Sequence, residues 1–148
     1  MPLKEQITED MKTAMRARDA ERLGAIRLLL AAIKQKEVDE RVVLDDVAVV
    51  AIVDRLIKQR KDSIEAFQKA ARVDLAEKEA AEVHVLQAYL PARLSPEEIA
   101  AAVQAIVTEL GARGPGDMGK VMAAVKTRLA GKAEMGQMSS AVKAALAS

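Results

Sequence analysis

An all-α fold is what this sequence predicts: an N-terminal four-helix domain over residues 1–91, then a small C-terminal three-helix domain over residues 92–148. Three observations lead there. Apolar residues recur three and four apart along most of the chain. Hydrophobic residues make up 51% but aromatic residues only 1%, so the core must come from Ala, Leu, Val, Ile and Met, among which Ala and Leu are strong helix formers. No convincing strand remains, although Arg41-Val42-Val43-Leu44 could be taken for one on its β-branched content, and the third helix also begins β-branched.

Leu3, Ile7, Met11 and Met15 recur every four residues and predict a first amphipathic helix. Leu23, Ile26, Leu30 and Ile33 predict a second, from about Asp19 to Glu37. Asp45 or Asp46 then offers an N-cap to a third and longest helix on Val49, Ile52 or Val53, Leu56, Ile64 and Phe67. A fourth, on Leu75, Ala76, Ala80, Val83 and Leu86, ends near Leu90-Pro91. Proline stops it, and Ser95-Pro96-Glu97-Glu98 has the form of a capping box with proline in the first turn, so the domain boundary falls at Pro91 to Ser95. Ile99, Val103, Ile106 and Leu110 predict the fifth helix, closed by Gly111. Val121, Met122, Val125 and Leu129 predict the sixth, ended by Gly131, and Met138, Val142, Ala145 and Leu146 the last.

Composition narrows the chemistry. There is no cysteine, which removes disulfides, thiolate metal sites and cysteine nucleophiles. His84, the only histidine, reads as a surface or boundary residue, and no metal and no cofactor are expected. Ser63 and Ser95 stand in no Ser–His–Asp or Ser–Lys setting, so no catalytic residue is assigned. Gly114-Pro115-Gly116-Asp117-Met118-Gly119 matches G-x-G-x-x-G, but a helix rather than a strand precedes it, Val121 stands where a P-loop needs Ser or Thr, and Asp117 opposes a phosphate. The start carries no signal peptide, and the longest apolar run, Val47 to Val53, stops at Asp54-Arg55; the expectation is a cytoplasmic protein with no membrane partner.

Charge is unevenly placed. From Arg113 to Ser148 six basic residues face two acidic ones, a net +4, whereas residues 1–91 hold 16 basic and 17 acidic, a net −1. A basic end on a nearly neutral chain points to a polyanionic partner. Lys120 sits in the first turn of its helix, where the macrodipole does not favour it. Gly119 and Gly131 lie at opposite ends of that helix, each followed by lysine (Lys120, Lys132), an arrangement suited to phosphate contact without base readout. The candidate nucleic-acid-binding residues are Gly119, Lys120, Lys126, Arg128, Gly131, Lys132 and Lys143. The tail has no aromatic residue, so base stacking on a single strand is not expected.

These residues also carry a family resemblance. Arg27-Leu28-Leu29-Leu30-Ala31-Ala32-Ile33-Lys34, the stretch from Ile57 to Ile64 continuing through Asp74–Glu79 to Leu86-Gln87-Ala88-Tyr89-Leu90-Pro91, and Asp117–Met122 with Gly131-Lys132-Ala133 resemble the YqeY family. The tail is similar to that of the B subunit of glutamine-dependent aspartyl/glutamyl-tRNA amidotransferase. The resemblance implies an all-α protein whose tail touches tRNA through Gly119, Lys120, Gly131 and Lys132, away from any active site. Glu134-Met135 departs from the Asp-Gly or Asn-Pro common in such tails. The partners implied are tRNA and a tRNA amidotransferase or other tRNA enzyme, with no DNA. The same resemblance implies a glutamine-dependent carbon–nitrogen ligase activity, but the kinase-like and amidase parts that do that chemistry have no counterpart here. A tRNA-binding accessory protein, an amidotransferase or amidase, and a helical protein-interaction module without RNA are the three functions left open.

Overall fold

Helical spacing is realised throughout. The computed structural model describes residues 1–147, and among them are seven α-helices and no strand. They are α1 (Leu3–Ala17), α2 (Ala20–Glu40), α3 (Asp46–Lys69), α4 (Val73–Gln87), α5 (Pro96–Leu110), α6 (Met118–Arg128) and α7 (Met135–Ala147), with a 3-10 turn at Pro115–Asp117 before α6. The third is the longest, at 24 residues. Arg41-Val42-Val43-Leu44 is not a strand: Arg41 closes α2 in the left-handed region at φ 54°, and Val43 is 85% exposed.

Caps set the starts. Asp19 accepts from the Arg22 N–H to open α2, and Asp45 from the Ala48 N–H to open α3. Ser95 and Glu98 form the full reciprocal box at α5, with bonds of 3.0 and 3.1 Å. That box holds the Glu98 carboxyl below its ordinary range.

The chain divides into two compact units, the first Met1–Leu90 and the second from Pro91 onward. In the first, α1 to α4 bury Ile7, Ala14, Ile26, Leu29, Ile33, Val49, Ile52, Val53, Ile57, Val83 and Leu86 together with Tyr89. Met15, expected on the buried stripe of α1, is 49% exposed, and Ala14 takes its place. Four residues turn the helix by about 40° more than one full turn, so a strict four-residue stripe has drifted off the core by its fourth member. Tyr89 packs inside this core, and its hydroxyl donates to Asp10 of α1 at 2.6 Å. Between α3 and α4, half-buried Arg60 donates to Glu82 at 2.9 Å.

In the second unit, α5, α6 and α7 bury Ile99, Val103, Ile106, Val107, Val121, Val125, Leu129, Ala133, Met138, Val142 and Leu146. The segment before α5 is stitched down by two bonds to the turn after α6. Leu94 N–H donates to the Lys132 carbonyl at 2.8 Å, and the Arg93 guanidinium to the Gly131 carbonyl at 2.9 Å.

Glu37 of α2 takes the Lys4 ammonium at 2.8 Å and the Leu44 N–H at 2.9 Å, binding α1 and the α2–α3 turn to one carboxylate. The Lys4 bond first, then the Leu44 N–H, hold its carboxyl below the ordinary value of 4.5. A depressed carboxyl stabilises the fold above its unfolded value and loses that contribution as pH falls through the folded one. Urea titrations at pH 3 to 7 should therefore show Glu37→Gln less stable than wild type near neutrality, the gap closing below about pH 4.5.

Candidate nucleic-acid interface

The basic residues of the second unit sit in three settings. Lys120 is exposed, but its ammonium reaches the Leu110 carbonyl at 3.1 Å, the last residue of α5. A cation at a helix C-terminus is favoured by the macrodipole. The first turn of α6 offers Lys120 nothing, yet the end of α5 beside it does. Arg128 forms a two-pronged ion pair with Glu109 of α5, its Nη2 2.8 Å from Oε1. The pair lowers the Glu109 carboxyl and raises the Arg128 guanidinium from their ordinary values. Lys126 and Lys143 are exposed and make no ion pair among the described residues, and Lys132 is half-buried in the α6–α7 turn.

The two glycines differ in kind. Gly119 is exposed near the start of α6, with nothing within 4 Å of where a Cβ would stand. On α6 it lies seven residues before Lys126, so the two share one outward face. Gly131 is buried, at φ 73°, with its carbonyl taken by Arg93. That left-handed backbone is what a glycine is needed for, and it turns the chain from α6 towards α7. Glu134, the departure from related tails, stands just before α7. There the Gln137 side chain accepts from the Glu134 N–H at 3.1 Å, half of a capping box.

The glycine-rich loop is closed on itself. Asp117 accepts from the Arg113 N–H at 2.9 Å, and α5, not a strand, delivers the loop. Candidate serines are engaged locally: Ser95 caps α5, and the Ser63 hydroxyl donates to the Gln59 carbonyl at 3.2 Å. His84 is exposed. Among the described residues no group of three or more His, Cys, Asp or Glu could hold a metal ion, and no helix is long and apolar enough to cross a membrane. A cleft in the first unit, between the start of α1 and the α2–α3 turn, is lined by Glu5, Glu9, Asp45 and Asp46 among others. Asp45 caps α3, and Asp46 accepts from the Leu3 N–H at 2.9 Å.

Comparison with known proteins adds to this geometry. The family described as Yqey-like protein matches residues 4–146. The chain is 42% identical over 123 residues to Altered inheritance of mitochondria protein 41, mitochondrial, of Eremothecium gossypii, covering 80% of this chain and 67% of that one. It is 43% identical over 107 residues to the protein of that name in Kluyveromyces lactis, covering 70% and 58%. In Pyrenophora tritici-repentis the figures are 34% over 129 residues, covering 83% and 71%. The chain thus spans from under three fifths to about seven tenths of the length of these relatives. Their names correct the cytoplasmic expectation, since they are those of mitochondrial proteins. The expectation rests on the want of a secretory signal and of a membrane-length apolar run, and neither feature distinguishes one aqueous compartment from another.

The contrast between the glycines gives opposite expectations. Gly131→Ala forces a Cβ into the left-handed region and should cost about 1–2 kcal/mol. Gly119→Ala meets open space in a helix and should stabilise by up to about 1 kcal/mol. Thermal unfolding of both variants checks the pair of signs.

Proposed function

The chain belongs to the YqeY family, and on that premise we propose that it is a non-catalytic tRNA-binding accessory protein working beside a tRNA-dependent amidotransferase or another tRNA enzyme. The observation that carries the reading is the charge of α6 and α7. Neither helix holds an acidic residue, while Lys126 and Lys143 point to solvent with no protein partner among the described residues. Lys132 lies in the turn between them, and Gly119 leaves α6 bare on the Lys126 face. Cations without side chains crowding them suit a phosphate backbone, and the lack of aromatic residues suits structured RNA read by shape. Lys120 and Arg128 have partners inside the unit, so they contribute field more than direct contact. The relatives' mitochondrial names support placing the RNA in that compartment.

Binding dominated by phosphate contacts weakens steeply with salt, each lysine adding about one to the slope of log affinity against log salt. Filter binding of tRNA over a salt series should show Lys126→Ala/Lys132→Ala/Lys143→Ala weaker than wild type, with a slope reduced by about three. Glu109→Gln, which releases Arg128, should bind more tightly than wild type. Equal affinity and slope for the triple variant and wild type would overturn the assignment.

We also propose that residues 1–91 and 92–148 are separate domains, the first the more stable. Two separate buried clusters support this, the second having no aromatic member and helices of 15, 11 and 13 residues. Hydrogen exchange on the full chain should release amides of α5 to α7 before those of α3. Slower exchange in α5 to α7 would reverse the order.

A further inference from the structure

Helix α2 carries apolar residues on its outer side as well as its inner one. Its inner side supplies Ala25, Ile26, Leu29 and Ile33 to the first core. A surface helix ordinarily turns a polar face outward. Here the exposed residues from Gly24 to Val38 are Gly24, Arg27, Leu28, Ala31, Lys34 and Val38, with Gln35, whose amide is held by Asp39. Leu28 is 50% and Val38 63% exposed. The row runs about 21 Å along the helix.

Between Gly24 and Val38 the exposed charges are Arg27 and Lys34 alone, with Glu21 and Asp39 just beyond the two ends. Glu37 turns to Lys4 and the Leu44 N–H, Asp39 to Gln35, and Glu40 to Lys36 at 3.7 Å. At the α1–α2 turn Arg16 and Arg18 are exposed, Arg22 lies beside the Tyr89 hydroxyl, Asp19 is engaged in its cap, and Glu21, one turn before Gly24, is an exposed carboxylate at that end of the row. We propose that this outward face of α2 docks an acidic amphipathic helix of a partner protein.

The residue types select that occupant. Gly24 and Ala31 bury little area against a lipid surface, where a membrane-binding helix carries large apolar residues. They do let another helix approach at about 8 Å, with Leu28 and Val38 filling its grooves. A phosphate backbone would use Arg27 and Lys34 but leave Leu28 and Val38 in water. A second copy paired antiparallel on this face would set Arg27 against Lys34, and like charges across an interface are unfavourable. An acidic flank pairs both cations while its apolar side covers the aliphatic residues. The proposal uses no residue of α6 or α7 and stands apart from the RNA reading.

The test uses the full chain and two fluorescent helical peptides of 21 residues or so, each with an Ala/Leu face, one flanked by Glu and one by Lys. Anisotropy should show saturable binding of the Glu peptide and none of the Lys peptide. Leu28→Asp should weaken binding at least tenfold, and Arg27→Glu/Lys34→Glu should reverse the preference between peptides. Circular dichroism checks folding, and Leu28→Ala replaces Leu28→Asp if the latter unfolds. No saturable binding, equal binding of the two peptides, or an unchanged preference in the charge-reversed variant would overturn the proposal. A Leu28-dependent dimer in sedimentation, or Leu28-dependent binding to phosphatidylglycerol vesicles, would assign the face to another occupant and overturn it as well.

Discussion

Tyr89 is the one aromatic ring in either buried cluster among the described residues, and its hydroxyl must be satisfied where it lies. Asp10 satisfies it at 2.6 Å, fastening the residues just after α4 to α1. Burial first, and then the neighbouring carboxylate, push the Tyr89 phenol well above its ordinary value, so it stays a neutral donor. Everything else in the cores is aliphatic. Each buried Leu, Ile or Val contributes about 1.5–3 kcal/mol, and Ala far less, so a ring-poor core needs many contributors in long rows. Helices α2 and α3, at 21 and 24 residues, are those rows.

Much of this was legible in the sequence, and unevenly so. In the second unit the punctuation is explicit. Ser95-Pro96 opens α5, and Gly111 and Gly131 take the left-handed positions at φ 66° and 73°. The first unit hides its punctuation. Arg18, Arg41 and Ala71 adopt the same left-handed backbone without being glycine. Residue types that disfavour the conformation give no warning of it, so α2 runs on to Glu40 and α3 to Lys69, beyond their last predicted apolar positions. Stripes read by spacing alone also drifted: Leu29 is buried although Leu30, only partly buried, marked the stripe.

The charged tail shows a different limit. A net charge is a sum, and a sum cannot record that Glu109, outside the counted segment, sits against Arg128, or that the Lys120 ammonium lies at the end of α5. Two of the six basic residues are thereby accounted for within the fold, leaving a smaller set facing solvent than composition suggests. Gly131 is similar. Its place beside Lys132 made it look like a contact residue, while the backbone at φ 73° and the Arg93 bond give it a purely local reason to be glycine.

The segment Arg27–Lys34 holds both residues the first core needs and residues it does not. Packing of the first core asks for Leu29, Leu30 and Ile33, which face inward. It asks nothing of Leu28, Ala31 or Val38, and glutamate or glutamine at those exposed positions would serve the helix as well. Leu28 at 50% and Val38 at 63% exposure gain little from folding, and along the outer side of α2 they alternate with Arg27 and Lys34. The tail presents a different case: Lys126 and Lys143 stand among exposed alanines on α6 and α7, small neighbours that leave room for a phosphate, whereas Arg27 and Lys34 on α2 alternate with the larger Leu28 and Val38. Two surfaces of like sign are thus distinguished by what lies between the charges.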